Sequence, residues 1–156
     1  MPMFQMLQAQ AYAKAGPSET ALKAIEQAIS ACESSGERWA MAEVLRIKAS
    51  LLARAGDGKI AEAEAVLLDS LDIAERQQAR SWQLRTACDL SRLWQRQGRD
   101  ATALKLLQSV YDEFTEGFDT EDLRDAHKLL LTLKPNPRWK RTTDGRKYSV
   151  GTKRKT

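Results

Sequence analysis

Apolar side chains recur three or four residues apart along most of the chain, which is the spacing of an amphipathic helix. Between residues 18 and 36, for example, the apolar positions include Ala21, Ile25, Ala28 and Cys32. The pattern predicts seven helices, at about 3–15, 18–34, 37–55, 60–77, 80–97, 100–114 and 120–133. Because β-branched residues never form alternating runs, no sheet is predicted, and the expected fold class is all-α.

Two of the predicted helices begin beside residues that can cap a first turn. Ser18 stands at the start of the second helix, and Asp119 or Thr120 stands at the start of the last. The side-chain oxygen of such a residue accepts a hydrogen bond from a backbone N–H that the first turn leaves unpaired. Glu121 and Asp122 then favour the last helix, because they lie beside the positive end of its dipole.

The first six predicted helices form three hairpins that repeat one pattern. Each hairpin has a large side chain four residues before a turn glycine, and a small residue early in the return helix. These positions are Tyr12, Gly16 and Ala21, then Leu52, Gly56 and Ala63, and finally Trp94, Gly98 and Ala103. The glycines lie 40 and 42 residues apart and the alanines 42 and 40, so the unit is 40 residues with two extra in the middle turn. One hairpin cannot bury its own apolar stripe, so we expect an α-solenoid of three stacked hairpins that the last helix caps.

This succession of a large residue, a glycine and an alanine resembles the tetratricopeptide repeat, with a period longer than the usual ~34 residues. The likeness is closest to the C-terminal repeat region of bacterial adenylate cyclase-type signalling proteins, which join a cyclase domain, a STAND-type ATPase module and a helical array. The segments that carry it are 11–16, 36–39, 61–65, 93–99 and 110–123, within residues 5–133. The resemblance implies a free-standing or truncated C-terminal module that binds other proteins. It also implies a cyclase or an ATPase as the partner, in the same chain or a separate one.

The sequence offers little for catalysis. Residues 56–59 (GDGK) lack two parts of a phosphate-binding Walker motif, since Ala53 and Ile60 stand where a glycine and a Ser or Thr are needed. His127, the only histidine, has no cysteine or histidine at metal-ligand spacing. Nothing matches the metal-binding aspartates of a cyclase. We therefore predict that the chain is not an enzyme and holds no cofactor or metal.

One face of the predicted array is basic. Alignment of the hairpins places Glu43 on its concave side together with the residues predicted to bind a partner. These residues are Arg46, Arg54, Arg85, Arg92, Gln95 and Arg96. Five arginines against one glutamate predict a groove for an acidic peptide or a C-terminal carboxylate, because guanidinium groups bind carboxylates through two hydrogen bonds. The alternative is that these arginines lie on solvated helix faces and pair with nearby glutamates.

The net charge of +4 is unevenly distributed along the chain. Residues 134–156 carry nine basic side chains against Asp144 alone, which leaves residues 1–133 with a charge of −4. We therefore divide the chain into a helical repeat domain (1–133) and a basic, disordered tail (134–156). Trp139 and Tyr148 lie among the basic residues, so a nucleic-acid-binding arm is the alternative function, but a solubilising tail is favoured over it.

Cysteine content and hydropathy favour a cytoplasmic protein without a membrane partner. Cys32 and Cys88 are the only cysteines, and no secretion signal precedes them, which indicates reduced thiols that pack in the core. No apolar run approaches the ~20 residues that a membrane-spanning helix needs.

Overall fold

The computed structural model describes residues 2–16, 18–36 and 38–135, and these residues form an all-helical structure. The seven helices are α1 (Pro2–Ala15), α2 (Glu19–Ser35), α3 (Met41–Ala55), α4 (Ile60–Arg76), α5 (Arg80–Arg96), α6 (Asp100–Tyr111) and α7 (Glu121–Leu133). Short 3-10 turns at Arg38–Ala40 and Asp57–Lys59 precede α3 and α4. The predicted all-α class is confirmed, and the described residues contain no strand. The predicted tail, apart from residues 134 and 135, lies outside the described residues.

Helix ends differ from prediction where the last or first turn tightens. The 3-10 turn at Arg38–Ala40 delays the start of α3 to Met41. Further along the chain, α6 ends at Tyr111, three residues earlier than predicted. The amide of Phe114 donates to the carbonyl of Tyr111 at 3.1 Å and forms a turn there. Phe114 still packs against the core, as its apolar spacing predicts, but it lies outside the helix.

Of the two predicted caps, one forms as expected. The Ser18 hydroxyl oxygen accepts a hydrogen bond from the amide of Ala21 at 3.1 Å, in the geometry of a helix N-cap. Thr120 also occupies an N-cap position, but its hydroxyl donates to the carbonyl of Gly117 at 2.7 Å and makes no capping bond. The prediction of a capping side chain at Thr120 is therefore wrong, because the preceding turn takes that hydroxyl.

The helices pack in a regular order. Each of α1, α3 and α5 contacts the helix that follows it, and each also contacts the next helix but one, so that α3, α5 and α7 lie side by side. Within the described chain, α2, α4 and α6 make no comparable contacts with one another. One apolar core extends from α3 to α7, and a smaller one joins α1, α2 and α3. The alternation places α3, α5 and α7 on a common side of the molecule.

The predicted repeat positions lie where the helices approach each other. Ala21, Ala63 and Ala103 are fully buried, and Leu52 and Trp94 are buried beside them. Tyr12 is partly buried against the smaller core. A methyl side chain keeps two helix axes close together, and the neighbouring large side chains fill the space around it.

The turn between α5 and α6 shows why a glycine is needed there. Gly98 has a φ angle of +72°. The amide of Arg99 donates to the carbonyl of Trp94 at 2.8 Å, and the amide of Gly98 donates to the carbonyl of Gln95 at 3.0 Å. This pair of bonds is a Schellman motif, which requires a left-handed residue after the helix. Gly16 and Gly56 also have positive φ.

The turn between α4 and α5 makes the same two bonds without a glycine. Ala79 donates to the carbonyl of Ala74 and Gln78 to that of Glu75, both at 2.9 Å, and Gln78 has φ +54. A side chain in this conformation crowds the following carbonyl, at a cost of roughly 1–2 kcal/mol.

Replacement of Gln78 by glycine should therefore stabilise the protein. We expect Gln78→Gly to raise the free energy of unfolding by about 1 kcal/mol, and the reciprocal change Gly98→Ala to lower it by a similar amount. A β-carbon at Gly98 would meet nothing within 4 Å, so that control reports the backbone cost alone. Urea denaturation measures both, and equal midpoints for the two variants would contradict the assignment.

Candidate partner-binding groove

Three open cavities meet on the side of the molecule that α3, α5 and α7 share. They measure about 210, 150 and 480 Å³, and Arg92 lines all three. We call the surface that they form the Arg92 groove. The residues that line it include Arg46, Arg54, Arg85, Asp89, Arg92, Gln95, Arg96, Asp122, Asp125, Lys128 and Thr132.

All six side chains predicted to bind a partner lie in this groove. Arg46 and Arg85 line the first cavity, Arg54 the second and Gln95 the third, while Arg96 lines the second and third. The helices bring them together because α3 and α5 present successive turns of the same face. Their role in binding stays a prediction.

Glu43, the one acidic residue expected in the groove, is instead buried beneath it, with 1% of its surface exposed. Its carboxylate accepts two hydrogen bonds from Arg46, from Nε at 2.9 Å and from Nη2 at 2.8 Å. Arg85 of α5 approaches the same carboxylate at 3.5 Å. A buried carboxylate is costly unless it is paired, so Glu43 holds both guanidinium groups in place.

The groove contains carboxylates that the alignment of the hairpins overlooked. Asp89 accepts from Arg46 Nη1 at 2.7 Å and from Arg92 Nη1 at 3.1 Å. Asp122 of α7 accepts from Arg85 Nε at 2.8 Å. The predicted balance of five arginines against one glutamate is therefore wrong, because the packing of α7 and the inner face of α5 add acidic side chains.

One of these omissions could have been found from the sequence. Asp89 lies four residues after Arg85 and three before Arg92, which puts it on the same helix face. Asp122 and Asp125 belong to the last predicted helix, which was expected only to cap the array. Their contribution to the groove depends on how α7 packs against α5.

The ion pairs have a clear effect on Arg46. Burial lowers the pKa of its guanidinium, but the hydrogen bonds and charges of Glu43 and Asp89 outweigh burial and raise that pKa above its ordinary value. Arg46 therefore keeps its charge and stays paired with Glu43 and Asp89.

The two ends of the groove differ in charge. Toward the N-terminal end of α5, Arg46 and Arg85 are matched by Glu43, Asp89 and Asp122. At the other end, Arg96 makes no ion pair with any described residue, and Lys128 approaches only Asp125, at 3.6 Å. Positive charge is thus concentrated where α5 and α7 end.

Another cavity, of about 400 Å³, lies elsewhere, between α2, α3 and α4. Its floor is formed by Ile29, Met41, Leu45 and Ile73. It contains none of the predicted arginines, and its rim joins Arg76 to Asp72 within one helix. We place the candidate site in the Arg92 groove, where charged residues from three helices meet.

The Cys88 thiol lines the first cavity of the groove. Burial raises the pKa of the Cys88 thiol to about 12, although the nearby Arg92 lowers it, so the thiol stays protonated at neutral pH and is a poor nucleophile. His127 lies exposed on α7, with its ring 6.1 Å from that of Tyr111. Among the residues that the structure describes, no cluster of His, Cys, Asp or Glu could hold a metal ion.

Loss of the buried charge should destabilise the protein. We expect Glu43→Gln to lower the free energy of unfolding by about 3 kcal/mol, because Arg46 and Arg85 would keep their charges without that partner. Glu62→Gln, which alters an exposed pair with Lys59, should leave the urea midpoint almost unchanged. Equal midpoints for the two variants would show that the buried network contributes little.

The Cys88 thiol should make stability depend on alkaline pH. Its pKa is raised from 9.0 to about 12 in the folded protein, so between those values the unfolded chain releases a proton that the folded chain keeps. Stability must then fall as pH rises through this window. We expect the difference in urea midpoint between the natural chain and Cys88→Ala to shrink from pH 8.5 upward. A constant difference would contradict the pKa assignment.

Comparisons with known proteins assign no function to the groove. In the part of the chain that the structure describes, no helix is both long and apolar enough to cross a membrane. No protein-family model, curated protein or solved structure matches the chain.

Proposed function

We propose that the chain is a non-catalytic protein-interaction module that binds an acidic segment of a partner protein in the Arg92 groove. One observation carries the proposal: the six side chains predicted from the sequence to bind a partner line three cavities that meet at Arg92. Open, connected cavities between helices suit an extended or helical peptide better than a small substrate.

The proposed architecture is a tetratricopeptide-like α-solenoid with α7 as its cap. The hairpins are α1–α2, α3–α4 and α5–α6. The order of helix contacts supports this arrangement, since each odd-numbered helix packs on the next one. The equivalent alanines Ala21, Ala63 and Ala103 are all fully buried, as a repeated packing site requires. Five buried side chains of α7 face the array, whereas its other face carries Arg124 and His127.

The distribution of charge indicates how an acidic segment would bind. Arg46 and Arg85 are occupied by carboxylates of the protein itself, so they shape the groove and contribute little new attraction. Arg92 is 44% exposed and shares Asp89 with Arg46, and Arg96 lies one turn further along α5. An acidic side chain or a C-terminal carboxylate would therefore bind between Arg92, Arg96 and Lys128, where guanidinium and ammonium donors remain accessible.

The neighbouring residues of this basic end add polar and apolar contacts. The Gln95 amide donates to the Thr132 hydroxyl at 3.3 Å, which connects α5 to α7 at the edge of the third cavity. Leu129 lines the same cavity. A ligand with an acidic residue next to an apolar one fits this combination best.

The sequence resemblance suggests the type of partner. We infer that the module recruits or regulates a nucleotide cyclase or an ATPase in the cytoplasm, joined to it in one chain or supplied separately. This part of the proposal depends on segments 93–99 and 110–123, which carry the likeness most specifically.

Reversal of charge at the basic end should abolish partner binding. The immobilised natural chain and the variant Arg92→Glu/Arg96→Glu are each used to capture partners from extracts of the native cell. We expect the specific partner to be lost from the variant, with a decrease in affinity of at least ~100-fold for two charge-assisted contacts. Circular dichroism should show unchanged helicity, because both side chains are exposed.

The matched control is Lys105→Glu/Arg124→Glu, which makes the same charge change at exposed sites outside the groove. This variant should retain the partner. Capture by the groove variant, or equal loss from both variants, would overturn the assignment of the Arg92 groove.

A further inference from the structure

An exposed aromatic surface lies at the end of the array, away from the basic end of the Arg92 groove. The Phe118 ring packs 5.8 Å from Tyr111, and Tyr111 lies 6.1 Å from His127 of α7. Phe118 is nevertheless 46% exposed. A phenyl ring that is held in place by a neighbour but left half uncovered offers apolar area to another group.

The aromatic surface is surrounded by negative charge. Glu113, Glu116, Asp119 and Glu121 are all exposed and lie within five residues of Phe118. None of these four carboxylates forms an ion pair with the described part of the chain. Arg80 of α5 lies beside this surface, where it donates to the backbone carbonyl of Glu113 at 2.9 Å. We call Phe118 and these four residues the acidic aromatic surface.

The chain itself carries a segment of complementary chemistry. Residues 136–156 begin three positions after the end of α7 and hold eight basic side chains against Asp144, together with Trp139 and Tyr148. The segment combines positive charge with aromatic rings, whereas the acidic aromatic surface combines negative charge with an aromatic ring. Opposite charges attract most strongly at low ionic strength, and aromatic rings favour contact with each other.

The segment is long enough to reach this surface in the same chain. Helix α7 has 13 residues and is therefore about 20 Å long, and the acidic aromatic surface lies at its N-terminal end. An extended chain covers about 3.3 Å per residue, so the six residues from Leu133 to Trp139 span about the length of α7. Residues beyond Trp139 then lie within reach of all four carboxylates.

We propose that residues 136–156 bind back to the acidic aromatic surface of their own chain, with Trp139 against Phe118 and the basic side chains opposite the four carboxylates. Attachment to α7 keeps the segment at a high local concentration, so individually weak contacts suffice. This inference does not depend on the Arg92 groove or on its ligand.

Carbodiimide cross-linking of the full chain tests the proposal, because it joins a lysine amine to a carboxylate only when the two are in contact. We expect monomers in which Lys140 or Lys147 is joined to Glu113, Glu116, Asp119 or Glu121, identified by mass spectrometry. The yield should fall several-fold between about 0.01 and 1 M NaCl, as the Debye length shortens from roughly 30 to 3 Å.

Two matched variants decide the location. Glu116→Gln/Asp119→Asn should reduce the remaining cross-links to Glu113 and Glu121 several-fold, and Phe118→Ser should do the same. Glu26→Gln/Asp69→Asn, which removes the same charges from exposed sites on α2 and α4, should not affect them. The proposal fails if tail lysines join carboxylates across the whole surface equally, if cross-links form only between chains, or if the control variant has the same effect.

Discussion

The buried carboxylate of Glu43 is the constraint on which the Arg92 groove depends. With 1% of its surface exposed, it cannot be solvated, so it needs cationic partners at short range. Arg46 on the same helix and Arg85 on α5 supply them. Arg46 extends the network to Asp89 and Arg85 extends it to Asp122, so one buried charge links α3, α5 and α7. The same network determines which arginines remain available to a ligand.

Close helix packing makes this network possible. Fully buried Ser70 of α4 donates to the carbonyl of Ala42 in α3 at 2.7 Å and lies 3.0 Å from the Thr86 hydroxyl in α5. Around these polar bonds, buried alanines let the helices approach. Glu64 of α4 accepts hydrogen bonds from Trp94 and Arg99, which flank the α5–α6 turn, both at 2.8 Å. These bonds hold the pKa of Glu64 below its usual range.

Charged residues fall into three groups in this protein. Paired charges in and beneath the groove join α3, α5 and α7, while the cations at its basic end are exposed. Separately, the excess of acidic residues in 1–133 and of basic residues in 134–156 allows the two parts of the chain to attract each other. Because exposed pairs weaken with salt and the buried network does not, ionic strength should separate binding from stability.

The sequence alone determined the helices, the Ser18 cap, the glycine turn at Gly98 and the face that carries the arginines. The helices, the cap and the turn depend on residues within about one or two helical turns, where spacing and backbone conformation are local properties. The arginine face follows from the alignment of the repeated hairpins. Only the tertiary structure decided the pairing of Arg46 with Asp89, 43 residues away, and of Arg85 with Asp122, 37 residues away. It also decided that Glu43 is buried and that Gln78 adopts a left-handed turn, because both depend on how neighbouring helices pack.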